Sequence, residues 1–209
     1  METWSNLIGV AGTIAFAVTA VLALKPKGID LFGASVLAII TAVGGGTLRD
    51  VIVNAPVFWG SSEWYIWVAL GSAIIAFYTK SLFATKRIYK IMLYMDAAGI
   101  SLFAIQAVQK VWDLGFGVPV APVILGVLTA IGGGLIRDVL AGKPNLLLSK
   151  ELYAIPVLIG CIIYAFILKY FPEFHVPGSI ICILLIFAIR IAAIEKNLSV
   201  PGWLYSKSA

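Results

Sequence analysis

The stretch TAVGGGTLRDVIVNAP, Thr41 to Pro56, sets three glycines and an Arg-Asp pair inside an otherwise apolar segment, and it returns as TAIGGGLIRDVLAGKP, Thr129 to Pro144. Thr, the glycine triplet, Arg, Asp and Pro keep their places, 88 positions apart. The likeness reaches upstream, because AGTIAFAVTA at 11–20 aligns with AGISLFAIQA at 98–107 after a one-residue shift. Whole segments are therefore duplicated.

Composition identifies the solvent. Of 209 residues, 61% are hydrophobic and 12% charged, with a mean hydropathy of +1.03, against roughly 25% charged in a soluble domain. Uncharged runs at Thr3–Leu24, Leu31–Leu48, Trp64–Thr79, Leu114–Ile136 and Leu152–Leu168 approach the roughly 20 residues that cross a bilayer. The chain reads as an integral membrane protein. No basic residue precedes Lys25, so the first run lacks the positive flank of a signal peptide and is expected to be a retained span.

Several function classes fall away. The net charge of +5 sits beside spans in short loops, where topology explains it, so nucleic acid is not an expected partner. Cys161 and Cys182 lie in apolar runs without metal-ligand spacing and read as packing thiols. One histidine, no metal-ligand cluster and no nucleophile-base arrangement argue against an enzyme, and neither a cofactor nor a resident metal is expected.

Loop signals divide the chain into seven candidate spans, roughly 4–24, 30–53, 63–80, 91–110, 117–141, 152–170 and 177–194. Residues 1–90 form a first three-helix repeat, 91–175 a second, and 176–209 a seventh helix with a cytoplasmic C-terminal tail. Three is odd, so the second copy enters the membrane in the opposite sense. The expected fold is an all-α membrane protein, a 3+3 inverted repeat plus one helix, an organisation that places sites near the midplane between repeats. With the N-terminus outside, cytoplasmic segments hold Lys25, Lys27, Lys80, Lys86, Arg87, Lys90, Lys143, Lys150, Arg190, Lys196 and Lys207, against Lys110 and Lys169 outside. The positive-inside rule therefore puts the C-terminus in the cytoplasm of a multi-pass inner (plasma) membrane protein.

Each glycine costs a helix interior roughly 1 kcal/mol relative to alanine. A helix from Asp30 reaches Gly44 after about 21 Å and would run near 45 Å if continued to Trp59, longer than the roughly 30 Å hydrocarbon layer. The second and fifth spans are therefore expected to break at Gly44–Gly46 and Gly132–Gly134, with Pro56 and Pro144 ending the second halves. Unwound backbone in lipid must face protein or water. Its carbonyls suit a transiently bound potassium or sodium ion and its N–H groups an anion; the residues alone do not choose. The competing reading has these glycines only letting two helices approach.

Arg49 and Asp50, like Arg137 and Asp138, are neighbours whose side chains diverge on a helix. Pseudo-twofold symmetry suggests crossed pairs, Arg49 with Asp138 and Arg137 with Asp50, offsetting the cost of charge in low dielectric. They serve either as a gate with counter-ions, Thr41 and Thr129 lining the path, or as registry and snorkelling groups. Asp96, in YMDAAGI, belongs to a pore or to the interface. His175 reads as a loop residue, and Trp59, Trp64, Tyr65 and Trp67 as an interfacial aromatic belt.

At GGGTLRD and GGGLIRD the chain resembles the prokaryotic members of the trimeric intracellular cation (TRIC) channel family, which overlap bacterial membrane proteins with a glycine-transporter domain. The resemblance covers nearly the whole chain. It implies a homotrimer in membrane lipid, a hydrophilic pore within each protomer kinked at the glycines, and passage of monovalent cations, notably potassium. Carried onto matching positions, it puts Gly44, Gly45, Gly46, Gly132, Gly133 and Gly134 at the constriction, with Arg49, Asp50, Arg137 and Asp138 beside it. Animal members use a lysine-containing variant that binds an acidic phosphoinositide; here plain GGG precedes Arg at both sites, so lipid regulation and voltage gating do not carry over. The expected activity is a potassium-permeable channel. The alternatives are a secondary transporter of a small solute such as glycine by alternating access, and a non-conducting scaffold.

Overall fold

The computed structural model describes residues 2–24, 28–79, 85–149 and 151–199. Eight α-helices occupy most of them: α1 (Glu2–Leu24), α2 (Leu31–Ile52), the single turn α3 (Phe58–Ser61), α4 (Trp64–Thr79), α5 (Thr85–Asp113), α6 (Val120–Leu140), α7 (Ala154–Tyr170) and α8 (His175–Lys196). Five helical stretches are long and apolar enough to cross a membrane: α1, α2, α6, Arg87–Asp113 within α5 and Pro172–Lys196 including α8; α4 and α7 are apolar but shorter. The expected spans fall on the seven longer helices. Of the charges that set the expected orientation, Lys25, Lys27, Lys80, Lys150 and Lys207 lie outside the described residues, as does the side chain of Lys86.

Packing repeats with the sequence. α1, α2 and α4 pack against one another, as do α5, α6 and α7, and the two sets meet along α1–α5 and α2–α6, with α8 on α5 and α7. Corresponding helices run antiparallel where they meet: Gly12 faces Phe103 and Gly99 faces Phe16, so positions rise on one helix as they fall on the other. The Phe16 and Phe103 rings stack between them at 5.5 Å.

The expected breaks are absent. α2 and α6 stay helical through Gly44–Gly46 and Gly132–Gly134, which corrects the reading of broken second and fifth spans. The length argument fails because α2 ends at Ile52 rather than near Trp59: 22 residues make about 33 Å, a bilayer's thickness without interruption. What the glycines supply is proximity. A Cβ on Gly45 would collide with the carbonyl oxygen of Thr129, and one on Gly133 with that of Thr41. This reciprocal contact puts a Cα–H against a carbonyl on the facing helix, a weak hydrogen bond common at such crossings, and close backbone approach is a principal source of helix attraction in lipid.

Both helices stop by one device. The N–H of Ala55 bonds to the Asp50 carbonyl at 2.9 Å and that of Asn54 to Val51 at 3.2 Å; Lys143 reaches Asp138 at 2.8 Å and Gly142 reaches Val139 at 3.0 Å. This is the Schellman pattern, closed by a left-handed residue, here Asn54 (φ 53°) and Gly142 (φ 57°). Pro56 and Pro144 follow, so proline marks the exit, as expected, but of one continuous helix.

Gly45→Ala and Gly133→Ala should each destabilise the protein by about 2 kcal/mol, the cost of an overpacked core. Gly71→Ala, where a Cβ meets open space, should be neutral or slightly stabilising; thermal unfolding in detergent measures all three.

Candidate functional site

Beside the α2–α6 crossing lies a cavity of about 520 Å³. Thr41, Gly45, Thr129 and Gly133 line its deep end, while Ser5, Asn6, Ser61, Asp113 and Leu114 line it where residues are exposed. Its walls come from both repeats and from the start of α8, where His175 stands. His175 thus opens a helix and faces the cavity rather than sitting in a loop, its Nδ1 3.0 Å from the Pro172 carbonyl.

The hydroxyls at the deep end are unusual. A helical threonine ordinarily bonds back to a carbonyl three or four residues earlier, as Thr47 does to Val43 at 2.8 Å and Thr79 to Ile75 at 2.8 Å. Thr41 and Thr129 are buried, yet their hydroxyls have no protein partner. Two acceptor-donor groups therefore stand unused where the cavity meets the glycine crossing.

Arg49 forms one wall and belongs to an ion cluster. Its Nε and Nη2 both reach Asp50 Oδ1 at 2.8 Å, and Lys110 Nζ reaches the same oxygen at 2.8 Å. Asp50 Oδ2 accepts the Phe58 N–H at 2.9 Å, fixing α3 against the end of α2. In the second copy Arg137 Nε reaches Asp138 Oδ1 at 2.9 Å, Arg137 Nη1 reaches Asp96 Oδ1 at 2.7 Å, and Asp138 Oδ2 accepts the Leu146 N–H at 3.3 Å. Phe58 and Leu146 are again 88 positions apart. Each aspartate thus anchors the turn that follows its helix, α3 in one copy and the 3-10 turn Leu146–Leu148 in the other.

These contacts overturn the crossed pairing. Each Arg folds back onto its own neighbour, because a long side chain can span the angular offset when burial removes water as a rival partner. Antiparallel α2 and α6 carry their Arg-Asp pairs to opposite ends. The outer partner of each cluster comes from α5, whose Asp96 and Lys110 are separated by about 21 Å of helix.

One motif therefore sits in two different charge environments. Around Arg49 two cations share one carboxylate; around Arg137 two carboxylates share one cation. The Arg137 cluster is fully buried and away from the cavity, with Arg190 and Tyr153 packed alongside it. Arg190 Nη1 donates to the Leu152 carbonyl at 2.6 Å, and its guanidinium lies 4.8 Å from the Tyr153 ring centre. Asp96 Oδ2, Arg137 Nη2 and the Tyr153 hydroxyl have no protein partner, and Tyr153 and Asp96 crowd the bare face of Gly134.

Of the expected site residues, Thr41, Thr129, Gly45, Gly46, Gly133 and Arg49 line the cavity; Gly44, Gly132, Gly134, Asp50, Arg137 and Asp138 do not. Asp96 resolves to the buried partner of Arg137. Lys110 and Arg190, counted only as topology charges, prove to be inward-facing cluster members, and an ionisable residue within an otherwise apolar helix is the signal that marks them. The aromatic belt is also corrected: Trp67 is exposed, but Tyr65 is buried on the cavity wall, and Trp59 donates to Thr47 Oγ1 at 2.8 Å. Cys161 and Cys182 are free and buried.

A family model described as Glycine transporter matches residues 6–81 and 93–169, one stretch in each repeated unit. The UPF0126 inner membrane protein YadS of Escherichia coli K12 is 35% identical over 93% of both chains. The UPF0126 membrane protein YvgT of Bacillus subtilis is 37% identical over 76% of this chain and 78% of its own. Among solved structures, a prokaryotic TRIC channel crystallised in 0.5 M KCl superposes with a TM-score of 0.87 at 30% identity, covering 96% of this chain and 100% of the other. The trimeric intracellular cation channel orthologue from Rhodobacter sphaeroides gives 0.87 at 31%, covering 94% and 100%.

Arg137→Gln should cost about 3 kcal/mol or more, because it strands two buried carboxylates. Arg49→Gln should cost clearly less, since Lys110 still neutralises Asp50. Unfolding in detergent should show Arg137 and Asp96 coupled by about 1 kcal/mol or more in a double-mutant cycle, and Arg49 with Asp138 within about 0.5 kcal/mol of additive.

Proposed function

Because the chain belongs to the glycine-transporter family and, with it, to the prokaryotic TRIC channels, we propose that it is a potassium-permeable cation channel working as a homotrimer, each protomer with its own path. In this reading residues 1–90 and 91–175 are oppositely inserted units, 176–209 adds the seventh helix, and the protein lies in the plasma membrane with the cavity on the outer side. The observation that carries it is the cavity that reaches Thr41 and Thr129 at the α2–α6 crossing; their hydroxyls, buried and without a protein partner, can turn toward a cation that exchanges part of its hydration for oxygen contacts. Its solved relatives are channels, which supports a non-enzymatic role without a cofactor.

Beyond the crossing the route meets Arg137, held between Asp96 and Asp138. With the glycines helical, their carbonyls are engaged, so the constriction is formed by side chains and the conducting state requires Arg137 to shift. Arg137 is then the gate, with Asp96 and Asp138 as its counter-ions, while Arg49 and Asp50 shape the entrance. Alternating access remains a second reading, favoured by a cavity that reaches the crossing from one end and by the family's description.

Purified protein in planar bilayers under a potassium gradient should give cation-selective unitary currents. Asp96→Asn, which weakens the hold on Arg137, should raise open probability several-fold. Saturable solute uptake into liposomes without unitary currents would establish the carrier instead.

A further inference from the structure

The Arg137 cluster contains hydrogen-bonding groups that its present arrangement leaves unused. Asp138 has a second donor, the Leu146 N–H at 3.3 Å. Asp96 has one ion-pair partner, Arg137 Nη1 at 2.7 Å from Oδ1, and its Oδ2 meets no donor among the described residues. When Arg137 moves away, Asp96 is therefore the carboxylate left bare. An uncompensated charge in low dielectric is strongly unfavourable, so the displaced state needs a replacement donor.

Tyr153 stands where that donor is needed. It is 3% exposed and its hydroxyl has no hydrogen-bond partner, whereas the O–H of a buried tyrosine ordinarily finds one. A Cβ on Gly134 would lie 3.0 Å from this hydroxyl, 3.3 Å from Asp96 Oδ1 and 3.5 Å from Arg137 Nη2, so the three atoms surround one point on the bare face of α6. The Asp96 oxygen turned toward that point is the one Arg137 now occupies. Tyr153 is also held independently of Arg137. The Arg190 guanidinium lies 4.8 Å from its ring centre, and Leu152 just before it gives its carbonyl to Arg190 Nη1 at 2.6 Å and its N–H to the Leu198 carbonyl at 3.3 Å. The ring thus stays while the arginine moves, and rotation about its C–O bond with a small shift of the Asp96 side chain aims the proton.

We propose that Tyr153 is the reserve donor of this cluster: when Arg137 swings off Asp96, the Tyr153 hydroxyl takes the vacated Oδ1 and holds the carboxylate until the guanidinium returns. Tyr153 does not line the cavity, so it is a positioning residue that acts through Asp96. The proposal rests on the reading of Arg137 as the gate. The opposite arrangement, in which the hydroxyl accepts from Arg137 Nη2 and helps to keep the gate shut, predicts effects of opposite sign.

Tyr153→Phe removes the oxygen alone and is the test. In planar bilayers it should lower open probability about tenfold, equivalent to about 1.4 kcal/mol, and should have no effect in an Asp96→Ala background, where the carboxylate is gone. Thermal unfolding of the full chain in detergent supplies an arm that needs no currents. There Tyr153→Phe alone should leave the melting temperature unchanged or higher, and in an Arg137→Gln background it should lower it by about 3 °C or more. Arg137→Lys, one atom short of the Nη1 that meets Asp96, serves if Arg137→Gln does not fold. Absent currents together with a melting effect confined to the Arg137 variants would refute the channel and leave the reserve donor standing. An unchanged or raised open probability in Tyr153→Phe, a loss of stability from Tyr153→Phe alone, or equal melting shifts with and without Arg137 would overturn the assignment.

Discussion

The contact of two backbones at the α2–α6 crossing sets how closely the second helices of the two repeats approach. Gly45 lies against the Thr129 carbonyl and Gly133 against the Thr41 carbonyl, with no room for even one methyl group. In lipid there is little hydrophobic gain from joining two apolar helices, so attraction must come from close packing and polar contact. Gly45 and Gly133, each unfavourable in a helix interior, give both at once. That proximity draws the repeats together and leaves Thr41 and Thr129 lining the inner end of a cavity.

Symmetry then fails at one helix. The duplicated Arg-Asp phrase makes the same local structure twice: a neighbour ion pair, a Schellman end, and an aspartate holding the N–H eight residues onward. α5 supplies the difference, offering Lys110 to one pair and Asp96 to the other. The Arg49 cluster therefore sets two cations on one carboxylate beside the cavity, while the Arg137 cluster sets two carboxylates on one guanidinium, with buried Arg190 alongside, at the opposite end.

Helix ends matter as much as helix interiors. By stopping at Ile52 and Leu140, α2 and α6 keep to bilayer length, and the chain that follows folds back as a short turn tied to the preceding aspartate. Trp59, bonded to Thr47, and Tyr65, packed against Gly9, close that return against the first repeat. What looked like an aromatic belt is partly the cavity's own wall.

The sequence by itself determined the medium, the helices and the duplication, because hydropathy, span length and a repeated phrase are properties of consecutive residues. It also marked Gly44–Gly46, Gly132–Gly134 and the Arg-Asp pairs as special. Whether the glycines break a helix or join two was decided only in three dimensions, since their intrinsic penalty is the same either way and the compensating contact lies 84 or more positions distant at Thr129 or Thr41. The ion partners were hidden for the same reason. Asp96 and Lys110 look like isolated charges in an apolar string until the packing of α5 against both repeats brings Asp96 to Arg137 and Lys110 to Asp50, and electrostatics in low dielectric depends on that distance rather than on order along the chain.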